Sequence, residues 1–547
     1  MMPLWTGPLL PFLALAWPLL LAGIAAVPWT RAATLRVLPL APLPALWLAL
    51  HPPSGTTELP ALLLGVSLGL DPERAMLLGM TAALWCLAGL AAQRMAGARR
   101  ISVFAGLWGL TLTGNLGVLL AQDIATFYVS FAAVSLAGWA LVVHDRSDAA
   151  LRAGRVYLIM AVLGEVALLV GLLLGAHAAQ SFQIADLRAA LTTDPQAPLA
   201  IALLLVGFGI KAGMVPLHLW LPLAHPAAPV PASAVLSGAI VKAGLVGMMI
   251  FLPDGAAGPV LTGLGLSGAF GAAIWALTQS NPKAVLAYST ISQMGLMILL
   301  IGAAGGARDI VAYVALHHGL AKGALFLLVG VMYLAHAPTQ RWLVLGAATL
   351  CAMSVAGVPL TGGALSKAAA KAALPDHLTL VLSLSSVTTT LALGWFLWRL
   401  WQVRPPQAAP RHWAASFALP VIAGLGALML PWVFWSEWAG RGYDYPLAAA
   451  TLIDGAWPVL VALPLLGLLF WRPAPQLPPG DLLGLSGRIG APSIARFWSA
   501  APPAMPKHRL PAALRRQLTA VEDQLTRWQW GGAILLGAVI GLSWLLS

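Results

Sequence analysis

Runs of about twenty mostly apolar residues follow one another along almost the whole chain, with short polar loops between them. An α-helix of about 20 residues crosses the hydrocarbon core of a bilayer, so each run is a candidate membrane span. We predict sixteen spans, centred near residues 18, 43, 84, 110, 132, 166, 208, 241, 268, 294, 321, 355, 389, 424, 460 and 537. The pattern predicts an all-α polytopic membrane protein with about 14–16 transmembrane helices.

The composition excludes an ordinary soluble protein, because 60% of the 547 residues are hydrophobic and only 9% are charged. The high content of glycine (55 residues) and proline (42) is typical of transmembrane helices. The net charge of +12 comes largely from loops between apolar runs, which indicates membrane orientation and not nucleic-acid binding. Both cysteines, Cys86 and Cys351, lie inside apolar runs and suggest no metal site, redox motif or disulfide.

The loops alternate in charge. Loops after odd-numbered spans carry the basic residues Arg31, Arg36, Arg94, Arg99, Arg100, Arg146, Arg152, Arg155, Lys283, Arg341, Arg404, Arg411 and Arg472. Loops after even-numbered spans carry the acidic residues Glu58, Asp71, Glu73, Asp123, Asp186, Asp194, Asp254, Asp376, Glu437 and Asp444. Basic loops stay in the cytoplasm, so we predict an inner (plasma) membrane protein of a bacterium with its N-terminus outside.

One apolar run carries a lysine in its middle. Lys211 lies within Gly207–Pro222, five residues before Pro216, and no carboxylate is nearby in the sequence. An ammonium group at bilayer depth costs several kcal/mol. Proline breaks the helix, and a broken helix is tolerated at membrane depth only inside protein or beside a wet cavity. A charge beside a broken helix is typical of an ion-carrier site.

Other ionisable residues also fall inside predicted spans. They are Glu165, Lys242, His317, His318, Lys322, Lys367 and Lys371, with His218 and His225 beside the broken seventh span as further candidates. His318 and Lys322 are four residues apart and therefore share one helix face, as do Lys367 and Lys371. A single lysine of this kind could be a snorkelling or structural residue. A row of lysines and histidines on successive spans favours proton transfer, since both side chains can exchange protons when the local field changes.

Spans seven and twelve resemble each other, because each is broken at glycine and proline and each carries a lysine, Lys211 or Lys367. They are five spans apart, so the two units would have opposite membrane orientations, as in transporters built from inverted repeats. We find no phosphate-binding loop, no metal-ligand spacing and no nucleophile–base pair. The sequence therefore predicts no cofactor, no metal and no catalytic chemistry of its own, although membership of a redox-driven translocase stays open.

Three motifs resemble those of the antiporter-like membrane subunits. They are Lys211–Gly238, Asn281–Gly295 and His317–Phe326. This family comprises the large proton-pumping subunits of respiratory complex I, the large subunits of Mrp-type sodium/proton antiporters and relatives in membrane-bound hydrogenases. The resemblance covers roughly residues 100–400. The basic C-terminal segment, with an amphipathic helix at Leu510–Trp530 and a final span, is most similar to the D-type Mrp subunit.

The resemblance implies two inverted five-helix repeats, at residues 99–253 and 254–403, with broken helices seven and twelve. N-terminal helices would occupy residues 1–98, C-terminal helices 404–471, and the cytoplasmic helix with the last span 472–547. The resemblance assigns proton or ion translocation to Glu165, Lys211, Lys242, His318, Lys322 and Lys367. His317, Lys371, His218 and His225 are secondary candidates.

The chain departs from the family at one position. Family members usually carry a glutamate on the fifth helix that pairs with the lysine of the broken seventh helix. Here Ala132 stands in its place, in the stretch Tyr128–Val134. Either Glu165 takes over as the partner of Lys211, or the subunit conducts poorly, and the sequence leaves both open.

The leading interpretation is a proton- or cation-translocating subunit of a multi-subunit membrane complex, with other membrane subunits, lipid, protons and possible sodium as partners and no nucleic acid. The alternative is an energy-coupling subunit of a redox complex, related to complex I or hydrogenase, or of an inorganic-carbon-accumulating complex. A stand-alone carrier of an organic solute is a third reading. It is disfavoured because no span has the aromatic and polar lining that such a solute needs.

Overall fold

The computed structural model describes residues 9–27, 29–93, 101–305, 307–404 and 413–478. The predicted final span near residue 537 and the cytoplasmic helix predicted at Leu510–Trp530 lie outside these ranges. The N-terminal helices are α1 (Leu10–Ala26), α2 (Arg31–Val37), α3 (Leu43–Leu50), α4 (Pro72–Ala92), α5 (Ile101–Leu120), α6 (Ile124–Val142), α7 (Asp148–Ala179) and α8 (Ile184–Ala190). A 3₁₀ turn at Leu38–Leu40 connects α2 towards α3.

The helices of the middle of the chain follow in order. They are α9 (Ala197–Ala212), α10 (Leu221–Ala227), α11 (Val230–Val235), α12 (Lys242–Phe251), α13 (Gly258–Ser267), α14 (Ala273–Ala276), α15 (Pro282–Ala303), α16 (Arg308–Leu334), α17 (Pro338–Ala356), α18 (Gly362–Ala373) and α19 (Asp376–Trp401). The last described helices are α20 (Trp413–Val433), α21 (Trp435–Trp438), α22 (Asp444–Leu447) and α23 (Ala449–Trp471).

The helical spans confirm the predicted all-α polytopic class. Within the described ranges, twelve helices are long and apolar enough to cross a membrane, and α1 and α9 are shorter apolar helices. The first fifteen predicted span centres all fall in helical segments. Helices satisfy every internal backbone hydrogen bond within themselves, which is the condition for crossing a hydrocarbon layer.

The segment between α3 and α4 is a small antiparallel hairpin of β1 (Thr57–Leu59) and β2 (Val66–Leu68). Its register pairs Thr57 with Leu68 and Leu59 with Val66. The backbone N–H of Ser67 donates to the carboxylate of Asp123 at 2.8 Å, which fixes the buried strand against the start of α6. The connection between α3 and α4 is therefore a short hairpin.

Helices α15 and α16 form the centre of the molecule and are buried along nearly their whole lengths. Helix α16 packs against α4, α11, α18 and α20. In contrast, α23 exposes most of its apolar surface. The exposed apolar face of a membrane helix lies against lipid or against another subunit.

Both broken spans end their first half in the same way. Gly213 caps α9 with φ +70°, and Gly357 caps α17 with φ +90°. This left-handed conformation suits glycine, and a Val-Pro dipeptide follows shortly after each cap. The position of the lysine differs between the two spans, because Lys211 precedes its break whereas Lys367 follows it, on α18.

Two π-helical segments interrupt the neighbouring spans. Leu236–Ile240 lies between α11 and α12, and Gly268–Ala272 lies between α13 and α14. A π segment changes the pairing of backbone carbonyls locally and is frequent at functional sites. The first one directly precedes Lys242.

We predict that Gly357→Ala destabilises the protein. An alanine there would adopt a left-handed φ, which costs about 1–2 kcal/mol, and its Cβ would lie 2.7 Å from Cδ of Lys367. Gly346→Ala in the same helix is the matched control, since that Cβ would meet open space, and it should stabilise by about 0.5–1 kcal/mol. Thermal unfolding midpoints of the purified membrane protein measure both, and equal midpoints would contradict the prediction.

Candidate functional site

Lys211 lies one residue before the end of α9 and is only 4% exposed. Beside the helix break, the indole N–H of Trp220 donates to the carbonyl of Ile210 at 2.7 Å. The ammonium lies 5.3 Å from the centre of the Phe131 ring and 5.9 Å from that of Tyr157. These aromatic faces attract a cation electrostatically while keeping the position apolar.

Ser135 connects Lys211 to Glu165. The ammonium of Lys211 donates to Ser135 Oγ, and this hydroxyl donates to Glu165 Oε1 at 2.5 Å. Glu165 is 8% exposed and therefore faces the protein interior. The structure thus brings the buried acid and the buried lysine to opposite sides of one hydroxyl group.

Ser135 was missed in the sequence analysis. It lies on α6 three residues after Ala132, the position where the family usually has its glutamate. Residues three apart are neighbours on a helix surface, so a polar side chain one turn away was the available signal. Among the described residues, Glu165 Oε2 and the Tyr157 hydroxyl have no hydrogen-bond partner, and both side chains line one small cavity beside Lys211.

Lys242 is the first residue of α12 and is only 2% exposed. Its ammonium donates to the carbonyl of Ser237 at 2.7 Å and lies 2.8 Å from Nδ1 of His318. Ser237 belongs to the π segment, so the local helix distortion presents a carbonyl to the lysine. The hydroxyl of Ser237 also lies 2.8 Å from that of Thr290 on α15.

Helix α16 carries three of the predicted residues on its buried surface. Lys322 is fully buried and donates to the hydroxyl of Ser289 at 2.6 Å. His317 Nε2 lies 2.9 Å from the hydroxyl of Ser354, near the end of α17. Through His318 the helix reaches Lys242, and through His317 it reaches the second broken span.

The side chain of Lys367, on α18, reaches back across the second helix break to the end of α17. Its ammonium donates to the carbonyl of Ala356 and to the hydroxyl of Ser386, both at 2.7 Å. A cation at the C-terminal carbonyls of a helix interacts favourably with the helix dipole. Lys371, one turn further on, forms an ion pair with Asp454 on α23, with 2.5 Å between Nζ and Oδ2. The sequence analysis did not identify Asp454.

The secondary histidines lie beside the first break. His225 is fully buried, its ring stacks on that of Phe326 with 4.5 Å between centroids, and neither ring nitrogen has a hydrogen-bond partner within the described ranges. His218 is buried in the turn between α9 and α10.

Lys283 requires a correction. Its place in the charge pattern predicted a cytoplasmic loop, but Lys283 is 6% exposed at the start of α15. Its ammonium donates to the carbonyl of Ala228 at 2.5 Å. The signal was in the choice of cation, because six of the seven lysines in the chain lie between residues 211 and 371.

Hydroxyl groups and backbone carbonyls dominate the surroundings of these lysines. Within the described residues, no three histidine, cysteine or acidic side chains form a group that could hold a metal ion. A serine hydroxyl can accept a hydrogen bond from an ammonium and can donate one to a neutral amine. The arrangement can therefore hold a lysine in either protonation state.

A family described as the transmembrane domain of NADH:quinone oxidoreductase and Mrp antiporters matches residues 121–392. Hydrogenase-4 component B of Escherichia coli (strain K12) is 28% identical over 241 residues, which cover 40% of this chain and 36% of that protein. The chain spans about a third to a half of the length of the first curated relatives that it matches.

Two solved structures share the fold. A chain of the membrane-bound sulfane sulfur reductase, an archaeal respiratory membrane complex, matches with a TM-score of 0.69 at 21% identity, over 83% of this chain and 99% of that chain. A chain of the Mrp complex from Dietzia sp. DQ12-45-1b matches with a TM-score of 0.67 at 22% identity, over 96% of this chain and 62% of that chain.

We predict that Ser135→Ala disconnects Glu165 from Lys211 and lowers proton movement across the membrane. A hydrogen bond to a charged group contributes about 1.5–3 kcal/mol, which corresponds to a roughly tenfold to hundredfold effect. Ser130→Ala on the same helix is the control, because Ser130 packs against Gly117 of α5. Proton flux in membrane vesicles measures the effect, and equal flux in the two variants would contradict it.

Proposed function

Because this chain belongs to the antiporter-like family of membrane subunits, and its buried lysines are held by hydroxyls and carbonyls, we propose that it translocates protons. The proposed path runs from Glu165 through Lys211, Lys242, His318 and Lys322 to Lys367. Protons enter and leave the row at its ends, and the chain works inside a multi-subunit membrane complex, which we propose is in a bacterial inner membrane with the N-terminus outside.

The hydroxyl partners carry this proposal. Lys211, Lys322 and Lys367 each donate to a serine hydroxyl, on α6, α15 and α19 respectively. An ion pair with a buried carboxylate would hold the ammonium firmly, because losing either charge leaves the other uncompensated. A neutral hydroxyl imposes no such cost, so a small change in the local field is enough to move the proton.

The connections between neighbouring sites support lateral coupling. The contact between Lys242 and His318 joins α12 to α16, and the contact between His317 and Ser354 joins α16 to α17. The hydroxyl of Ser354 also accepts a hydrogen bond from the backbone N–H of Gly363 at 3.2 Å, across the second break. A protonation change at one site therefore acts on groups that touch the next site.

An energy-coupling role in a redox complex is the second candidate. The similarity to a hydrogenase component supports it, and the fold is shared with both a respiratory complex and an Mrp complex. The proton path would be the same in both, and only the driving partner would differ. Affinity purification at native expression separates them: iron–sulfur or nickel subunits indicate a redox complex, and small antiporter subunits indicate an Mrp-type complex.

We predict that Lys211→Ala and Lys322→Ala each abolish proton flux while the complex still assembles. Each substitution removes a buried charge that is expensive at bilayer depth, so assembly should be normal or better. Lys211→Arg separates proton exchange from a structural cation, because an arginine keeps its charge permanently. We expect Lys211→Arg to assemble and to be inactive. Near-normal flux in Lys211→Ala within a verified complex would contradict the proposed function.

We also predict that the chain purified alone is inactive or unstable. The mostly exposed apolar surface of α23 and the lateral direction of the proton path both indicate neighbouring subunits. The measurement is ion exchange by the single chain in liposomes, compared with the complex purified at native expression. Robust exchange by the single chain would refute the dependence on partners.

A further inference from the structure

Asp454 is an acidic residue in a membrane helix that lies beyond the matched family region. It belongs to the second turn of α23, and the matched region ends at residue 392. Its Oδ2 forms the ion pair with Lys371, and its Oδ1 lies 3.4 Å from the indole nitrogen of Trp457. Intramembrane carboxylates are rare, and such a residue indicates function when its partner also belongs to a charged site.

A cavity connects this ion pair to Lys367. Its volume is about 40 Å³, and Lys367, Lys371, Ser386, Thr451 and Asp454 provide its polar lining. A polar cavity of this size has room for water. The side chain of Lys371 is 15% exposed and that of Asp454 is 47% exposed, so the cavity leads from the buried lysine to the surface.

Helix α23 is packed directly onto the break of the second broken span. A Cβ on Gly455 would lie 3.5 Å from the carbonyl oxygen of Gly357, the residue that caps α17. Helix α23 also packs against α19, which carries the hydroxyl partner of Lys367. The position of Asp454 is therefore fixed relative to the end of the lysine row.

We propose that Asp454 is the proton-releasing group at the mouth of the pathway, and this inference rests on the proposed function. The proton passes from the Lys367 ammonium, through the cavity, to the Asp454 carboxylate, which leaves a neutral amine and a carboxylic acid. Protonation of Asp454 breaks its ion pair with Lys371. The acid then releases the proton to the aqueous phase, and the ion pair forms again, which disfavours the reverse transfer.

The mouth opens at the membrane face where α18 ends and α23 begins. The loops at this face carry Asp376, Glu437 and Asp444, so the charge alternation predicts that it is the outer face. The ligand of the site is a proton, because the mouth pairs one carboxylate with one ammonium.

The central test is Asp454→Asn in the assembled complex, with proton flux measured in vesicles. Asparagine keeps the shape of the side chain but cannot carry the proton, so flux should fall by about a hundredfold, the lower end of what a positioned acid–base group contributes. Asp376→Asn, at the exposed start of α19 on the same face, is the matched control and should leave flux unchanged. Normal flux in Asp454→Asn would overturn the inference.

A neutral pair separates proton release from a structural tether. The double variant Lys371→Gln with Asp454→Asn keeps two side chains that can hydrogen-bond to each other but leaves no carboxylate at the mouth. Low flux in the assembled double variant supports the inference, and full flux would show that the pair only ties α23 to α18. If Asp454→Asn does not assemble, the flux of the double variant decides.

Lys211→Ala in the same assay distinguishes a failure of the proposed release site from a failure of the proposed function. If Lys211→Ala abolishes flux and Asp454→Asn does not change it, only the release site is wrong. If both variants retain flux, the proposed function itself is wrong.

Discussion

The hydrogen bond between a buried ammonium and a neutral oxygen is the interaction on which the centre of this protein depends. Burying an isolated charge in an apolar interior is very costly unless polar groups replace its water shell. Lys242 obtains such a group from a π-helical segment, and Lys367 obtains one from a carbonyl at the end of α17. The irregular backbone of these spans is therefore the means by which the lysines are accommodated.

This dependence explains why the helix breaks and the lysines occur together. Inside a regular helix the carbonyls accept backbone hydrogen bonds, whereas the last four carbonyls of a helix have no intrahelical partner. At the first break, the carbonyl of Ile210 accepts hydrogen bonds from the backbone N–H of Gly213 and from the indole of Trp220, and Lys211 donates to the hydroxyl of Ser135. At the second break, the ammonium of Lys367 donates to the carbonyl of Ala356. Both breaks therefore have a glycine cap, but a tryptophan donates to the backbone carbonyl at the first break and a lysine does so at the second.

The class of the fold and the members of the lysine row could be predicted from the sequence, because apolar runs and buried charges leave signals in single residues. The partners of the lysines could not. Ser135 and Ser386 are ordinary residues in a membrane helix, and only the packing of both α6 and α9 on α7, and of α18 against α19, brings them to a lysine. The position of Lys283 was predicted wrongly, because the charge of a residue does not distinguish the first turn of a helix from a loop. Asp454 was assigned to no site because it stands inside an apolar run far from the recognised motifs.

The use of lysine and not arginine at the central sites follows from the same physics. A guanidinium keeps its proton under all ordinary conditions, whereas an amine can lose it when its surroundings change. A row of arginines at Lys211, Lys242 and Lys322 would fix charge in the interior without any route to neutrality. Lysines paired with hydroxyls can be charged one at a time, so neighbouring sites need never all be charged at once. Repulsion between like charges then becomes the means by which one site drives the proton to the next.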